Sequence, residues 1–373
     1  MPEDADPMRE TAVKLRRSYS ELYAQSALAG VESCLDEYEH MRAAFSADMD
    51  LSQAPQSPLH SGLPLPVEPV LALALLATYE YVQRSNIAKM RARANQALTT
   101  AMDLSLHTAS TGSSEYSDAL RRAWWMVMFV VYQSSILTAS PPIITVDDPR
   151  ITTHFPEFRG CREPWPLLVK SQKAFINSCC ISRELARESV ESQHASLRDQ
   201  IQQLYTFICE VAAEADRFRC VTNYSGAEAD ASRNLWAMSR ALIHTHLSSP
   251  NPRLSDIGLE ADGKASGTAR ALRPSRSPRE LPHLACCTLQ GFYTISMLLS
   301  KVRRALCSGD LSSCYYLLDR PTPATDVQDT ERLIEELQQS LNALSASIRA
   351  DAVFEGLAAA AREVEDTLSA TID

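Results

Sequence analysis

The chain has 373 residues, a hydrophobic fraction of 45%, a charged fraction of 22% and a formal net charge of -10. This length and apolar content can bury a large core without disulfide or metal staples, and they exclude a disordered chain. The acidic balance excludes a protein that grips nucleic acid over its whole surface, because that affinity rests on Lys and Arg displacing counterions from phosphates.

Only 11 glycines, set against abundant Ala and Leu, favour helix throughout. The acidic start, Met1, Pro2, Glu3 and Asp4, lacks the basic-then-apolar order of a signal peptide, so secretion is not expected. Ten cysteines without such a signal are expected as free thiols, with Cys179-Cys180 and Cys286-Cys287 inside apolar helical patterns. The longest apolar runs, 70–77 and 123–132, fall short of the roughly 20 residues that cross a bilayer, and they read as buried helix.

A first helical segment is expected over 10–47, within an N-terminal region of residues 1–50. Its Lys14, Arg16 and Arg17 read as a solvated basic face. A Pro-rich linker follows over 51–69, where Pro55, Pro58, Pro64, Pro66 and Pro69 forbid regular helix. Helix resumes near Glu68 and opens a regulatory core spanning 70–247. Ile87, Met90, Ala94, Ala97, Ala101 and Leu104 then recur at spacings of three and four, the buried face of a helix that Ser85 is placed to cap.

After a polar loop at Gly112, Leu120, Trp124, Val127 and Val131 share one face of a helix that is apolar nearly all round over 123–132. Pro141 and Pro142 end it. An extended connector runs over 143–166, broken at Pro149, Pro156, Gly160, Pro164 and Pro166. Helical patterns return at 167–191, 195–221 and 228–248, the second carrying Ile201, Leu204, Ile208 and Val211 on one face.

Residues 248–282 are rich in Ser, Gly and Pro, with Arg270, Arg273, Arg276 and Arg279 spaced at threes, and read as a disordered, mildly basic loop. C-terminal helices over 283–373 are expected to pack on the core. The first covers 283–308. The next shows a heptad-like run at Ile334, Leu337, Leu341, Leu344 and Ile348, two heptads only, which favours a core helix over a coiled coil. The last runs through Leu357, Val364 and Leu368.

Three strings stand out in order. The first is Leu-Ala-Leu-Ala-Leu-Leu-Ala-Thr-Tyr-Glu-Tyr over 71–81, ending in Tyr79, Glu80 and Tyr81, with Asn86 and Ile87 after it. The second is Ala101, Met102, Asp103, Leu104, Ser105, Leu106 and His107. The third is Arg121, Arg122, Ala123, Trp124 and Trp125, followed by Pro141, Pro142 and Ile143 and then Asp147 and Asp148. Together they resemble, over 71–156, the fungal-specific transcription factor domain, the middle homology region of zinc binuclear cluster regulators.

The second string is similar to that family's Ala-x-Asp-Leu-Gly-Leu-His, and the third to its Arg-Arg-x-Trp-Trp helix and Pro-Pro-x-Ile-x-x-x-Asp connector. One departure lies inside the match: Ser105 stands where the family has Gly. Ser fits only if the backbone avoids positive φ there, so the turn is expected to shift by a residue or two.

The resemblance implies an all-α, multi-helix array and a transcriptional role. A zinc binuclear cluster needs six thiolates as Cys-x2-Cys-x6-Cys twice over, because two tetrahedral zinc ions share bridging sulfurs. These residues carry no such pattern. Cys307 and Cys314 come nearest, with six residues between them but no Cys-x2-Cys or basic run nearby. Classical fingers, a basic region leading into heptads and basic-aromatic sheet motifs are likewise missing from the sequence.

The expectation is therefore a regulator or co-regulator without its own DNA-binding cluster, not an enzyme, with control of a fungal metabolic or secondary-metabolite pathway as its setting. A cluster encoded ahead of Met1 is the open variant. Expected partners are proteins, either a zinc-cluster transcription factor or a second copy in a homodimer. DNA is reached only indirectly, with no membrane contact, no cofactor and no metal. A small-molecule effector is allowed for. The resemblance implies the nucleus, with the cytoplasm as the alternative.

The competing class is a repurposed helical enzyme or small-molecule binder in a metabolite pathway. Asp147-Asp148 begins an Asp-Asp-x-x-Asp metal motif of terpene cyclases, but Ile151 holds its last position and Pro149 breaks the helix. Arg349 stands where the second metal motif wants Glu. His244 and His246, two apart, would point to different sides of a helix. His107 reads as a helix-end residue bonding terminal carbonyls. No nucleophile elbow, phosphate loop or zincin motif occurs. Trp124 and Trp125, with Val127 and Val131, are the residues best placed to line an internal pocket, and plain core packing is the competing account.

Overall fold

The computed structural model describes residues 7–45, 63–108, 116–156, 164–187, 194–217, 285–309 and 327–372. The described residues are almost entirely helical and contain no strand. The expected helix over 228–248, His244, His246 and the expected loop over 248–282 lie outside them. The chain divides into two compact units, the first holding residues up to Tyr81, Asn86–Ser134 and Ile143–Pro156, the second Val82–Ser85, Ser135–Pro142 and everything beyond. The helices between Trp165 and Arg217, grouped by sequence with residues 70–156, thus cluster with the C-terminal helices.

In the first unit, α1 (Pro7–Phe45) is a 39-residue helix. Val31 is its buried anchor, with Ala24, Leu28 and Leu35 half-buried on the same side. Lys14, Arg16 and Arg17 are exposed as expected. A single 3₁₀ turn (Leu65–Val67) leads into α2 (Glu68–Val82). Pro69 lies in the first turn of α2, where a missing N–H costs no helical bond, so the linker's last residues are already helical. Leu65–Val82 is long and apolar enough to cross a membrane, with mean hydropathy 1.3. Half of it is buried in the protein, and Val70, Leu73, Ala74 and Ala77 are fully enclosed.

Helix α3 (Ile87–Asp103) buries Met90, Ala94, Ala97, Leu98 and Ala101, the face expected from spacing, while Ile87 and Leu104 are only half-buried. Its cap differs from expectation. Asn86 Oδ1 accepts the Lys89 N–H at 2.9 Å, and Ser85, at φ 50°, instead donates its hydroxyl to the Gly356 carbonyl. The left-handed backbone at Ser85 turns its side chain away from the helix end, leaving the next polar residue to cap.

Helix α4 (Ser117–Thr138) is buried continuously from Val127 to Ile136, the all-round packing that its sequence demands. It stops one turn before Pro141. Ala139 takes φ 46°, its N–H reaches the Ile136 carbonyl and the Ser140 N–H reaches the Ser135 carbonyl, a Schellman turn with proline just beyond.

The second unit pairs α5 (Trp165–Arg187) with α6 (His194–Arg217) through Leu167, Ala174, Ile208, Val211, Ala212 and Ala215. Lys170 and Glu214 add a half-exposed ion pair at 2.8 Å, worth about 0–1 kcal/mol. Helix α7 (Ala285–Ser308) packs on α8 (Val327–Asp351) and α9 (Glu355–Ile372). Phe292, Ile295, Leu298, Leu299 and Val302 of α7 are each fully buried, which stabilises by about 1.5–3 kcal/mol apiece.

The heptad-like run of α8 serves this core: Leu337, Leu341, Leu344 and Ile348 are buried, and Leu333 rather than Ile334 completes the face. Cys34, Cys179, Cys180, Cys209 and Cys307 are free thiols, and burial pushes the Cys34 thiol above its ordinary pKa. Cys161, Cys220 and Cys314 lie outside the described residues.

Candidate functional site

Helix α4 supplies the residues around which the first unit's motifs gather. At its start Asp118 accepts from both Arg121 and Arg122, at spacings of three and four that place all three side chains on neighbouring rows. One turn on, Trp124 and Trp125 are buried to 0% and 4% exposure, with Val127 and Val131 behind them. The two indoles meet different surroundings. Trp125 Nε1 donates to the His154 carbonyl at 3.0 Å, and its ring stacks on Phe155 with centroids 4.0 Å apart.

Trp124 faces His107, with ring centroids 5.9 Å apart and a 48° tilt. His107 sits in a single 3₁₀ turn (Leu106–Thr108), and its backbone carbonyl accepts the N–H groups of Thr152 and Thr153 at 2.9 and 3.2 Å. Its Nδ1 is buried without a protein partner, so this nitrogen does not bond helix-terminal carbonyls as its position suggested. The Thr153 hydroxyl donates to the Leu106 carbonyl at 2.6 Å.

The turn before His107 is not displaced. Ser105 takes φ 58°, its N–H reaches the Met102 carbonyl at 2.9 Å, and the Leu104 N–H reaches the Thr100 carbonyl at 3.1 Å. Ser105 therefore adopts the left-handed backbone that a glycine would take without strain.

The connector after α4 is held by side chains from both of its ends. The Val146 N–H donates to the Tyr132 hydroxyl oxygen at 2.8 Å. Burial pushes the Tyr132 phenol up to about 12; the Val146 bond opposes that rise and the Asp147 charge adds to it. Asp148 receives Nε and Nη2 of Arg150 on its two oxygens at 2.9 and 2.8 Å, and the Arg150 N–H at 2.9 Å. Those bonds hold its carboxyl down at about 2. Asp147 is exposed. Among the described residues no three His, Cys, Asp or Glu side chains cluster as metal ligands.

The structure thus joins His107, Trp124 and Trp125 with the connector, while Arg121 is held by Asp118 on its own helix. It does not bring the first string to them: Tyr79 donates its hydroxyl to Glu21 of α1 at 3.0 Å, Glu80 is buried with its carbonyl taking the Asn86 N–H at 2.9 Å, and Tyr81 is half-buried. Asp103 is exposed, Leu104 is half-buried, and Pro141 and Pro142 belong to the second unit. Asp118, Tyr132, Thr153 and Phe155 are participants that the sequence did not single out. Asp118 carried a signal, an acid one turn before a basic pair in a helix's first turn. Thr153 and Phe155 carried none, since a non-periodic connector does not mark which side chains turn inward. Compared with protein-family models, with curated proteins and with solved structures, the chain finds no match.

Proposed function

We propose that the chain is a transcription regulator or co-regulator acting through protein contacts of a helical domain like the middle homology region of zinc-cluster regulators. DNA is reached through a zinc-cluster partner or a second copy of the chain, and the setting is a fungal metabolic pathway with a nuclear location. What supports the reading is how the second and third strings and the connector meet. Thr152 and Thr153 bind the His107 carbonyl, Thr153 binds Leu106, His107 packs beside Trp124, and Trp125 binds His154.

Deleting the gene and profiling transcripts tests the reading. Loss or gain of transcripts from a set of pathway genes is expected, with the tagged protein concentrated in nuclei. Unchanged transcripts together with accumulation of one pathway intermediate would reject regulation in favour of a metabolite-pathway enzyme or binder.

A further inference from the structure

Helix α1 carries two apolar faces. On the side that meets the protein Val31 is buried, and Val13, Ala24, Leu28 and Leu35 are half-buried. On the opposite side Leu15, Tyr19, Leu22, Ser26, Ala29 and Ser33 recur at alternating spacings of four and three, the a and d positions of a heptad, and all are exposed. Leu15, Tyr19 and Leu22 are 54%, 52% and 56% exposed, and Tyr23, at the edge of the stripe, is 70% exposed. One such side chain in water is ordinary, but four within nine residues make a patch that burial in a partner would stabilise. A Cβ built on Gly30, beside the stripe, meets nothing within 4 Å, so the space along this face is open.

The order of the stripe selects what covers it. Its first half is bulky and its second half small, which fits a copy of itself running the other way. With the two helices centred near Ala24, Leu15 meets Ser33, Tyr19 meets Ala29 and Leu22 meets Ser26, each pairing occurring twice as a two-fold axis requires. The charges run in the same direction. Lys14, Arg16 and Arg17 are exposed along the first half, and Glu32, Asp36 and Glu37 are exposed along the second. In the antiparallel arrangement Lys14 lies near Glu32 of the second copy, and Arg16, leaning toward its own N-terminus, reaches toward Glu37. A parallel pair would instead set basic against basic and acidic against acidic. Heptad spacing alone argues for pairing no better here than in α8; exposure and charge order are what separate the two helices.

We propose that α1 pairs antiparallel with α1 of a second copy of this chain, through Leu15, Tyr19 and Leu22 packed on Ser33, Ala29 and Ser26. This gives a surface to the second-copy partner of the proposed function and rests on that reading only for its setting. A dimer formed by a chain whose deletion leaves transcripts unchanged would fail the function and keep the seam. The seam is short, so the dimer is reversible, with a Kd on the order of 10 μM.

Sedimentation equilibrium of the full chain over a concentration series is the test. The unaltered chain is expected to pass reversibly from monomer to dimer. Leu22→Asp, which sets a charge in the seam at an exposed position, should raise the dissociation constant about tenfold or more while circular dichroism shows the helices kept. If that variant loses helix, Tyr19→Ser is read in its place. Direction is read by charge reversal. Lys14→Glu with Arg16→Glu should weaken the dimer, Glu32→Lys with Glu37→Lys should weaken it likewise, and all four changes in one chain should restore it.

A chain that stays monomeric at about 100 μM, well above the expected Kd, would overturn the proposal. So would a dimer indifferent to both Leu22→Asp and Tyr19→Ser, which would place the interface elsewhere. A fourfold variant no tighter than either pair of changes would overturn the antiparallel arrangement.

Discussion

Replacing Ser105 by glycine should stabilise the protein, and the size of the gain follows from the backbone. Ser105 sits at φ 58°, fixed by its N–H on Met102 and by the Thr108 N–H and hydroxyl on its own carbonyl, at 2.9, 3.1 and 3.0 Å. A residue with a Cβ in that region costs roughly 1–2 kcal/mol. Glycine removes this cost but gives the unfolded chain more freedom, which takes back about 0.4–1 kcal/mol. The net gain expected is about 0.5–1 kcal/mol, or roughly 1–4 °C in Tm for a unit of this size. Urea unfolding followed by tryptophan fluorescence reads it, because Trp124 and Trp125 lie in the same unit and are buried. Ser105→Ala, which keeps the Cβ, should change little, and Ser105→Val should lose about 1 kcal/mol or more by placing a β-branched residue at positive φ. A destabilised Ser105→Gly, or a harmless Ser105→Val, would refute the reasoning.

Ala139, at φ 46° in the Schellman turn that ends α4, predicts the same sign: Ala139→Gly should raise the unfolding midpoint by a comparable amount. Tyr132 predicts a fall in stability at high pH. Its phenol is held up at about 12 in the folded chain against roughly 10 when unfolded, so the folded state keeps a proton that the unfolded state gives up. The contribution is whole below pH 10 and disappears as pH rises through 12. It amounts to at most about 2–3 kcal/mol, and Tyr132→Phe should flatten that part of an unfolding-versus-pH series. Leu341, fully buried on α8, should cost about 2–5 kcal/mol as Leu341→Ala in chemical denaturation, and a loss below 1 kcal/mol would contradict its place in the core.

Helix positions were legible in the sequence because their signal is periodic. The face of α3 from Met90 to Ala101 and that of α8 from Leu337 to Ile348 are buried where spacing puts them. What failed were choices that depend on a single dihedral. Ser85 and Asn86 are both able to cap, and only the positive φ of Ser85 decides for Asn86. At Ser105 the glycine-like position is legible but its backbone is not: the turn keeps its place and the serine itself adopts the left-handed conformation. Grouping of elements was less visible still. The periodicity of residues 165–217 says that a face is buried, not against which neighbour; Leu167 and Ala174 meet Ile208, Val211, Ala212 and Ala215 of the next helix. At the candidate site the indoles were foreseen through their bulk. The roles of Thr153 and Tyr132 were not, because Thr153 lies in a segment without a repeat and Tyr132 acts on a backbone group of that segment.

That segment, residues 143–156, has neither helix nor strand, yet several of its amides are hydrogen-bonded. Thr152 and Thr153 share one carbonyl and Val146 ends on a buried phenol. In deuterated solvent the Thr152 and Thr153 amides would exchange when the connector lifts from the 3₁₀ turn, and the Val146 amide when it lifts from Tyr132 of α4. The absence of regular structure here is therefore no measure of looseness: the connector behaves as a clasp, whose release would free both aromatic and polar faces of the unit at once.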